Sequence, residues 1–115
     1  MITLKKNEDY TRVYEQHRSL ADRYLVMYIS KGETTDTRIG ISVSKKVGNS
    51  VIRHRVKRLV KEAFRTRENM FNSGLDIVIV ARKEAATFTY QDACKSLMNL
   101  ARRHKILKNN PEIQE

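Results

Sequence analysis

A single cysteine, Cys94, in 115 residues rules out an internal disulfide and a cysteine-based metal cage, and points to a reducing compartment. Acids are scarce too. The 13 Asp and Glu stand against 23 Lys and Arg, a formal charge of +10 that is too lopsided for a generic cytosolic enzyme and fits a polyanionic partner. Long apolar runs are missing: those present, such as Ile77–Ala81, are far too short to cross a bilayer. Met1 to Asn7 is short and polar with no apolar stretch behind it, so no signal peptide is expected. A cytoplasmic protein without a membrane partner is the expectation. There is no phosphate-loop, dinucleotide-binding or zinc pattern, and no internal repeat. His17, His54 and His104 each sit among basic residues, with no acid at triad or metal-ligand spacing. No catalytic residue and no metal ligand is therefore assigned. Cys94, beside the apolar stripe of a predicted helix, reads as an inert buried thiol.

Hydrophobic residues make up 40% of the chain, enough for one core. A single α/β domain over residues 1–107 is predicted, with a frayed tail at 108–115 that holds Pro111 and shows no periodicity. The first element is a short helix over Glu8–Gln16, with Asn7 as N-cap, acids in its first turn, and Tyr10, Val13 and Tyr14 on one face. Tyr24–Ser30 reads as a strand, Lys31–Asp36 as a hairpin loop, and Arg38–Ser44 as an alternating strand. Gly48-Asn49-Ser50 stops that strand and opens a helix, with either Asn49 or Ser50 as the cap. Its apolar stripe is Ile52, Val56, Leu59, Val60, Ala63 and Phe64. Leu75–Ala81 reads as a central strand covered on both faces, and Asp76 is the odd acid in it, either at an edge or beside a basic partner. A last helix starts near Thr89, where Thr89 and Asp92 have capping-box spacing, and carries Ala93, Leu97, Leu100 and Ala101 inward.

Two constellations carry chemistry. On the helix after Gly48, at about 100° per residue, His54, Lys57, Arg58, Lys61 and Arg65 gather opposite the apolar stripe, flanked by Arg53 and Arg55. Glu62 is the one acid among them, so i, i+4 ion pairs cannot lace the face together. Charge repulsion on such an element is relieved by a polyanion, which points to nucleic-acid phosphate. Lys45 and Lys46, just before the turn, extend the patch. The second constellation is aromatic: Tyr10 and Tyr14 on one helix face, with Tyr28 and Val26 on one side of a strand. Rings on a sheet can stack single-stranded bases. Rings at helical spacing can equally be plain core, and spacing alone leaves the two readings open.

The segment RIGISVSKKVGNSVIRHRVKRLVKEAFR, Arg38 to Arg65, resembles the signature of the bacterial ribonuclease P protein component, with its pair of lysines, Gly-Asn turn and arginine-rich helix. Leu4–Tyr10, Ala21–Tyr28 and Ile77–Arg82 are similar to the same family, so the resemblance spans nearly the whole chain. It implies an α+β fold, a small sheet packed against helices in the order α-β-β-β-α-β-α, with a left-handed βαβ crossover through the basic helix and a likeness to a ribosomal-protein fold. It also implies the protein subunit of a ribonucleoprotein endonuclease that removes the 5′ leader of precursor tRNA. In that family the chemistry belongs to the RNA, which holds most of the magnesium ions, and the protein pairs with the RNA one to one. Carried over by position, Lys45, Lys46, Arg53, His54, Arg55, Lys57, Arg58, Lys61 and Arg65 would bind the catalytic RNA. Tyr10, Tyr14, Val26 and Tyr28 would line the leader cleft, which favours the stacking reading of the aromatics.

Two departures stand out. His54 replaces the asparagine usual in the middle of the arginine-rich motif, exchanging an amide donor and acceptor for an imidazole of different geometry. Tyr10 and Tyr14 stand where the family often has phenylalanine. Two rival classes use the same features: a ribosomal or RNA-chaperone protein with no reaction attached, and a DNA-binding protein reading the major groove. The second lacks a helix-turn-helix pair.

Overall fold

The structure is a computed structural model and describes residues 1–108. The chain runs β1 (Ile2–Thr3), α1 (Asn7–Glu15), β2 (Ser19–Ala21), β3 (Leu25–Lys31), β4 (Arg38–Ser42), α2 (Ser50–Arg65), β5 (Leu75–Ala81) and α3 (Tyr90–His104). Short 3₁₀ turns at Glu68–Met70 and Lys83–Thr87 flank β5. This is the expected α+β class. β1 adds to the element order that the resemblance implies, β2 adds only to the elements read from the residues, and each lies at one edge of the sheet.

Sheet order is β1-β4-β5-β3-β2. β5 is parallel to β4 and antiparallel to β3, so Lys31–Asp36 does not close a hairpin as predicted. Instead β5 inserts between the strands that this loop joins. Its position explains its burial: Asp76, Ile77, Val78 and Ile79 are fully buried. On one face, Leu25, Met27, Ile29, Ile39, Ile41, Ile77 and Ile79 pack against Val56, Val60 and Phe64 of α2 and Leu97 and Leu100 of α3. Phe64 also meets Phe71 edge-on at 5.0 Å. On the other face, Val13 of α1 packs on Val78 and Leu4 in a smaller cluster.

Helix ends follow local chemistry. Asn49 caps α2 by accepting from the Ile52 N–H at 3.0 Å, and Thr89 and Asp92 form the full capping box on α3. α3 stops where Lys105 turns left-handed, φ 61°, which lets Ile106 fold back into the core. α1 departs from expectation. Asn7 lies inside the helix, Lys6 occupies the cap position, and no side chain caps it. Arg38–Ser44 is strand only to Ser42, because Ser44 to Val47 closes a turn (Val47 N–H to Ser44 O, 3.1 Å). Of the tail expected to fray, residues 109–115 lie outside the described residues. Lys108 donates its N–H to Met70 O at 2.7 Å.

Candidate nucleic-acid interface

The α1-facing side of the sheet is built in rows by register. Ser30, Asp76 and Arg38 lie side by side; the next row is Tyr28, Val78 and Gly40; the next is Val26, Val80 and Ser42. α1 lies over this surface. Tyr14 meets Tyr28 edge-on, with ring centroids 4.8 Å apart and an interplanar angle of 77°. Tyr10 lies over Gly40, where an added Cβ would fall 2.6 Å from the ring and its hydroxyl. A glycine is needed there because any larger residue would push the ring off the sheet. Tyr10, Tyr14, Val26 and Tyr28 are all half-buried, so the structure brings the predicted residues together and leaves part of each open.

Burial raises the phenol pKa of Tyr10, with an Ile41 backbone hydrogen bond opposing. Burial likewise raises that of Tyr14, helped by neighbouring Tyr28 and Tyr10 and opposed by Ser42. Both hydroxyls therefore stay protonated and able to donate. Tyr24 belongs elsewhere: it packs on Phe88 at 5.4 Å, with the Arg23 guanidinium over its ring.

One end of the cleft is fixed by charge. Arg38 makes two hydrogen bonds to Asp76, Nε at 2.9 Å and a terminal nitrogen at 2.8 Å. Asp76 has no exposed surface at all. The same guanidinium lies 3.9 Å from Asp9 on α1, and Asp9 also pairs with Arg12 at 3.3 Å. Asp76 first, then Asp9, raises the Arg38 pKa further, against the effect of burial. This network ties the helix that carries Tyr10 and Tyr14 to the central strands. The odd acid in the apolar strand thus finds a basic partner, at a central position and not at an edge.

On α2, His54, Lys57, Arg58, Lys61 and Arg65 are exposed, and Arg53 and Arg55 are partly covered, as helical spacing predicts. Two of these differ from a free cationic face. Arg55 turns toward the 3₁₀ turn before α3, donating to Phe88 O at 2.8 Å and Ala86 O at 3.5 Å. Arg65 forms a two-pronged pair with Glu62, three residues earlier, so one ion pair does lace this face. Lys45 and Lys46 are exposed in the turn ahead of α2. Lys57 and Lys61 also border a pocket that reaches Tyr10 and Gly40, so helix and cleft adjoin.

Gly40, Ser42 and Val80 complete the cleft and are not among the residues predicted for it. The alternation of β4 puts Gly40 and Ser42 on one face, and two small residues there were the available signal of a seated ring. Among the described residues, no group of three or more His, Cys, Asp or Glu side chains comes together that could hold a metal ion. Among the same residues, no helix is long and apolar enough to cross a membrane.

A family model for ribonuclease P matches residues 2–105. The chain belongs to the ribonuclease P protein family. The ribonuclease P protein component of Lachnoclostridium phytofermentans is 48% identical over 108 residues, 94% of this chain and 93% of that one. That of Clostridioides difficile is 45% identical over 104 residues, covering 90% and 91%. Among solved structures, the Staphylococcus aureus ribonuclease P protein superposes with a TM-score of 0.86 at 34% identity, covering 94% of this chain and 99% of that one. The Thermotoga maritima ribonuclease P protein gives 0.80 at 28% identity, covering 90% and 97%. Family membership therefore extends across the cleft, the ion-pair network and α2 alike.

Proposed function

We propose that this protein is the ribonuclease P protein subunit that joins a catalytic RNA and holds the 5′ leader of precursor tRNA, so that the leader is removed and a mature 5′ end results. The match over residues 2–105 carries the reading. Two surfaces support the division of labour. The exposed part of α2, with Lys45 and Lys46 before it, presents cations suited to the phosphates of a folded RNA. The Tyr14–Tyr28 pair and Tyr10 offer half-exposed rings suited to unpaired bases, whose stacking tolerates sequence. Curated relatives named as ribonuclease P components do not favour a ribosomal or RNA-chaperone role.

In this reading the protein binds and positions, and the RNA supplies the chemistry. Magnesium ions would then be held by RNA phosphates, in a complex of one protein and one RNA, with water as the nucleophile. Arg53, Lys57, Arg58 and Lys61 would neutralise backbone phosphates, and His54 would add a polar contact in place of the usual asparagine. Arg55 and Arg65 would contribute less, since each already has partners on the chain.

The test is cleavage of a leader-bearing precursor tRNA by a bacterial ribonuclease P RNA at low magnesium, with and without the protein. Strong stimulation is expected. RNA binding without stimulation would return the protein to the ribosomal or chaperone class.

A further inference from the structure

Between the loop after β1 and the exposed side of α2, a pocket of about 240 Å³ is lined by Lys5, Tyr10, Gly40, Ile41, Lys57 and Lys61, among others. Among the described residues, no carboxylate lines it. Among the described residues, none of these lysines enters an ion pair. Lysines from two separate elements around one concavity repel each other unless an anion sits between them. An ammonium group is a point-charge binder of phosphate. Tyr10 borders the pocket, and its protonated hydroxyl adds a donor. Gly40 keeps the ring close to β4, since a Cβ there would strike it. Cations, a hydroxyl and the absence of acids together describe an oxyanion pocket of one-phosphate character.

We propose that this pocket is a subsite for one RNA phosphodiester, held by Lys5, Lys57 and Lys61 with the Tyr10 hydroxyl donating, where a strand passes between the Tyr14–Tyr28 cleft and α2. Lys5 is the residue that this adds. It lies outside the cationic helix, on the loop that leads into α1. The identity of the strand rests on the ribonuclease P reading; the affinity of the pocket for phosphate does not.

Two arms test it separately. In the first, inorganic phosphate is titrated into the full-length protein while backbone amides are followed by NMR. Lys5, Tyr10, Gly40 and Ile41 should shift together and saturate, ahead of Lys45 and Lys46. Lys5→Ala should abolish the saturable shift at Gly40, and Lys5→Arg should keep it. Equal, non-saturating shifts at every cationic site, or an unchanged response in Lys5→Ala, would overturn the proposal. In the second arm, Lys5→Ala is assayed for association with the catalytic RNA and for affinity toward precursor and leaderless tRNA in the reconstituted enzyme. One lost phosphate contact lowers the log–log salt slope by about one. A lower slope confined to the leader-bearing precursor assigns the phosphate to the leader, and one in catalytic-RNA association assigns it to that RNA. No change in either refutes the subsite. Should the protein fail to stimulate cleavage at all, the phosphate titration still judges the pocket, so the two failures are distinct.

Discussion

Replacing Arg38 with methionine should be one of the most damaging single changes in this chain, although Arg38 is partly exposed and far from the largest core residues. The reason is the group left behind. Asp76 is fully buried on the central strand, and Arg38 supplies it with hydrogen bonds of 2.9 and 2.8 Å. Removing one partner of a buried pair leaves an uncompensated charge and costs about 3–5 kcal/mol. Domains of this kind have about 5–15 kcal/mol in total, so a large share of stability would go. The companion experiment is Arg38→Met with Asp76→Leu. Replacing both members by apolar groups of similar volume is often neutral or stabilising, so the double variant should recover most of the loss. Urea unfolding followed by circular dichroism measures this, with the midpoint shifting and the slope constant. A loss under about 1 kcal/mol in the single variant, or a double loss equal to the sum of the singles, would refute the reasoning. The double variant has a second use. Asp9 would keep Arg12 and lose Arg38, loosening α1 over the sheet. Preference for precursor over mature tRNA should fall while association with the catalytic RNA stands.

Gly40→Ala should cost about 1–3 kcal/mol by overpacking and weaken leader binding in a precursor titration, because Tyr10 must leave its place against β4; an unchanged leader preference would show that Tyr10 does not contribute. Arg55→Ala should lower stability by about 1.5–3 kcal/mol for its charged hydrogen bonds, whereas Arg58→Ala, on an exposed part of α2, should leave the urea midpoint unchanged and reduce RNA affinity. Equal effects of the two arginines on both quantities would contradict this division. Tyr14→Ala or Tyr28→Ala should weaken precursor over mature tRNA by about 1–3 kcal/mol per lost stack, measured with catalytic-RNA association as the control that stays constant. Burial, with Arg18 and Arg103 nearby, lowers the His104 pKa against its hydrogen bond to Met27 O. The unfolded chain therefore takes up that proton at higher pH than the folded one. The resulting stability is complete above about pH 6.5 and is lost as pH falls through the lowered folded value. His104→Gln should flatten the decline of the urea midpoint between about pH 7 and pH 5; a curve parallel to the parent's would count against it.

What was legible in the sequence was what local chemistry decides. Asn49 and the Thr89–Asp92 pair are capping signals complete within a few residues, and both act as such. The α2 stripe follows from helical period, and Val56, Val60, Ala63 and Phe64 are buried accordingly. The grouping of Tyr10, Tyr14 and Tyr28 needed the family resemblance, because spacing cannot distinguish a stacked cleft from a core. What escaped is non-local. The alternation of a strand says which side chains share a face, and nothing about which strand lies beside it. Lys31–Asp36 has the polarity of a hairpin and joins strands that β5 separates. β1 and β2 are too short for any period to show, and sheet pairing alone defines them. Arg55 reads from sequence as one cation among several, since its carbonyl partners lie 31 and 33 residues away.

The insertion of β5 matters beyond topology, because it makes the cleft floor. If β3 and β4 were hairpin partners, Tyr28 and Gly40 would have no strand between them. Instead Val78 stands between the two in register, and Val80 stands between Val26 and Ser42. β5, about 4.8 Å from the strand on each side, separates Tyr28 on β3 from Gly40 on β4, over which Tyr10 lies, leaving an apolar floor on which α1 can lie with Val13 buried. The same insertion puts Asp76 between Ser30 and Arg38, away from solvent, which is why an acid at that position requires the arginine. Parallel pairing of β4 and β5 also requires a crossover, and α2 is that crossover. The helix that buries Phe64 in the core is therefore delivered with Lys57 and Lys61 beside the cleft. One topological choice thus sets the floor of the aromatic site, the ion pair at its end and the cations at its side, and it predicts that stability and leader preference will fall together at Arg38 and Gly40, whereas Arg58 changes RNA affinity and neither of the two.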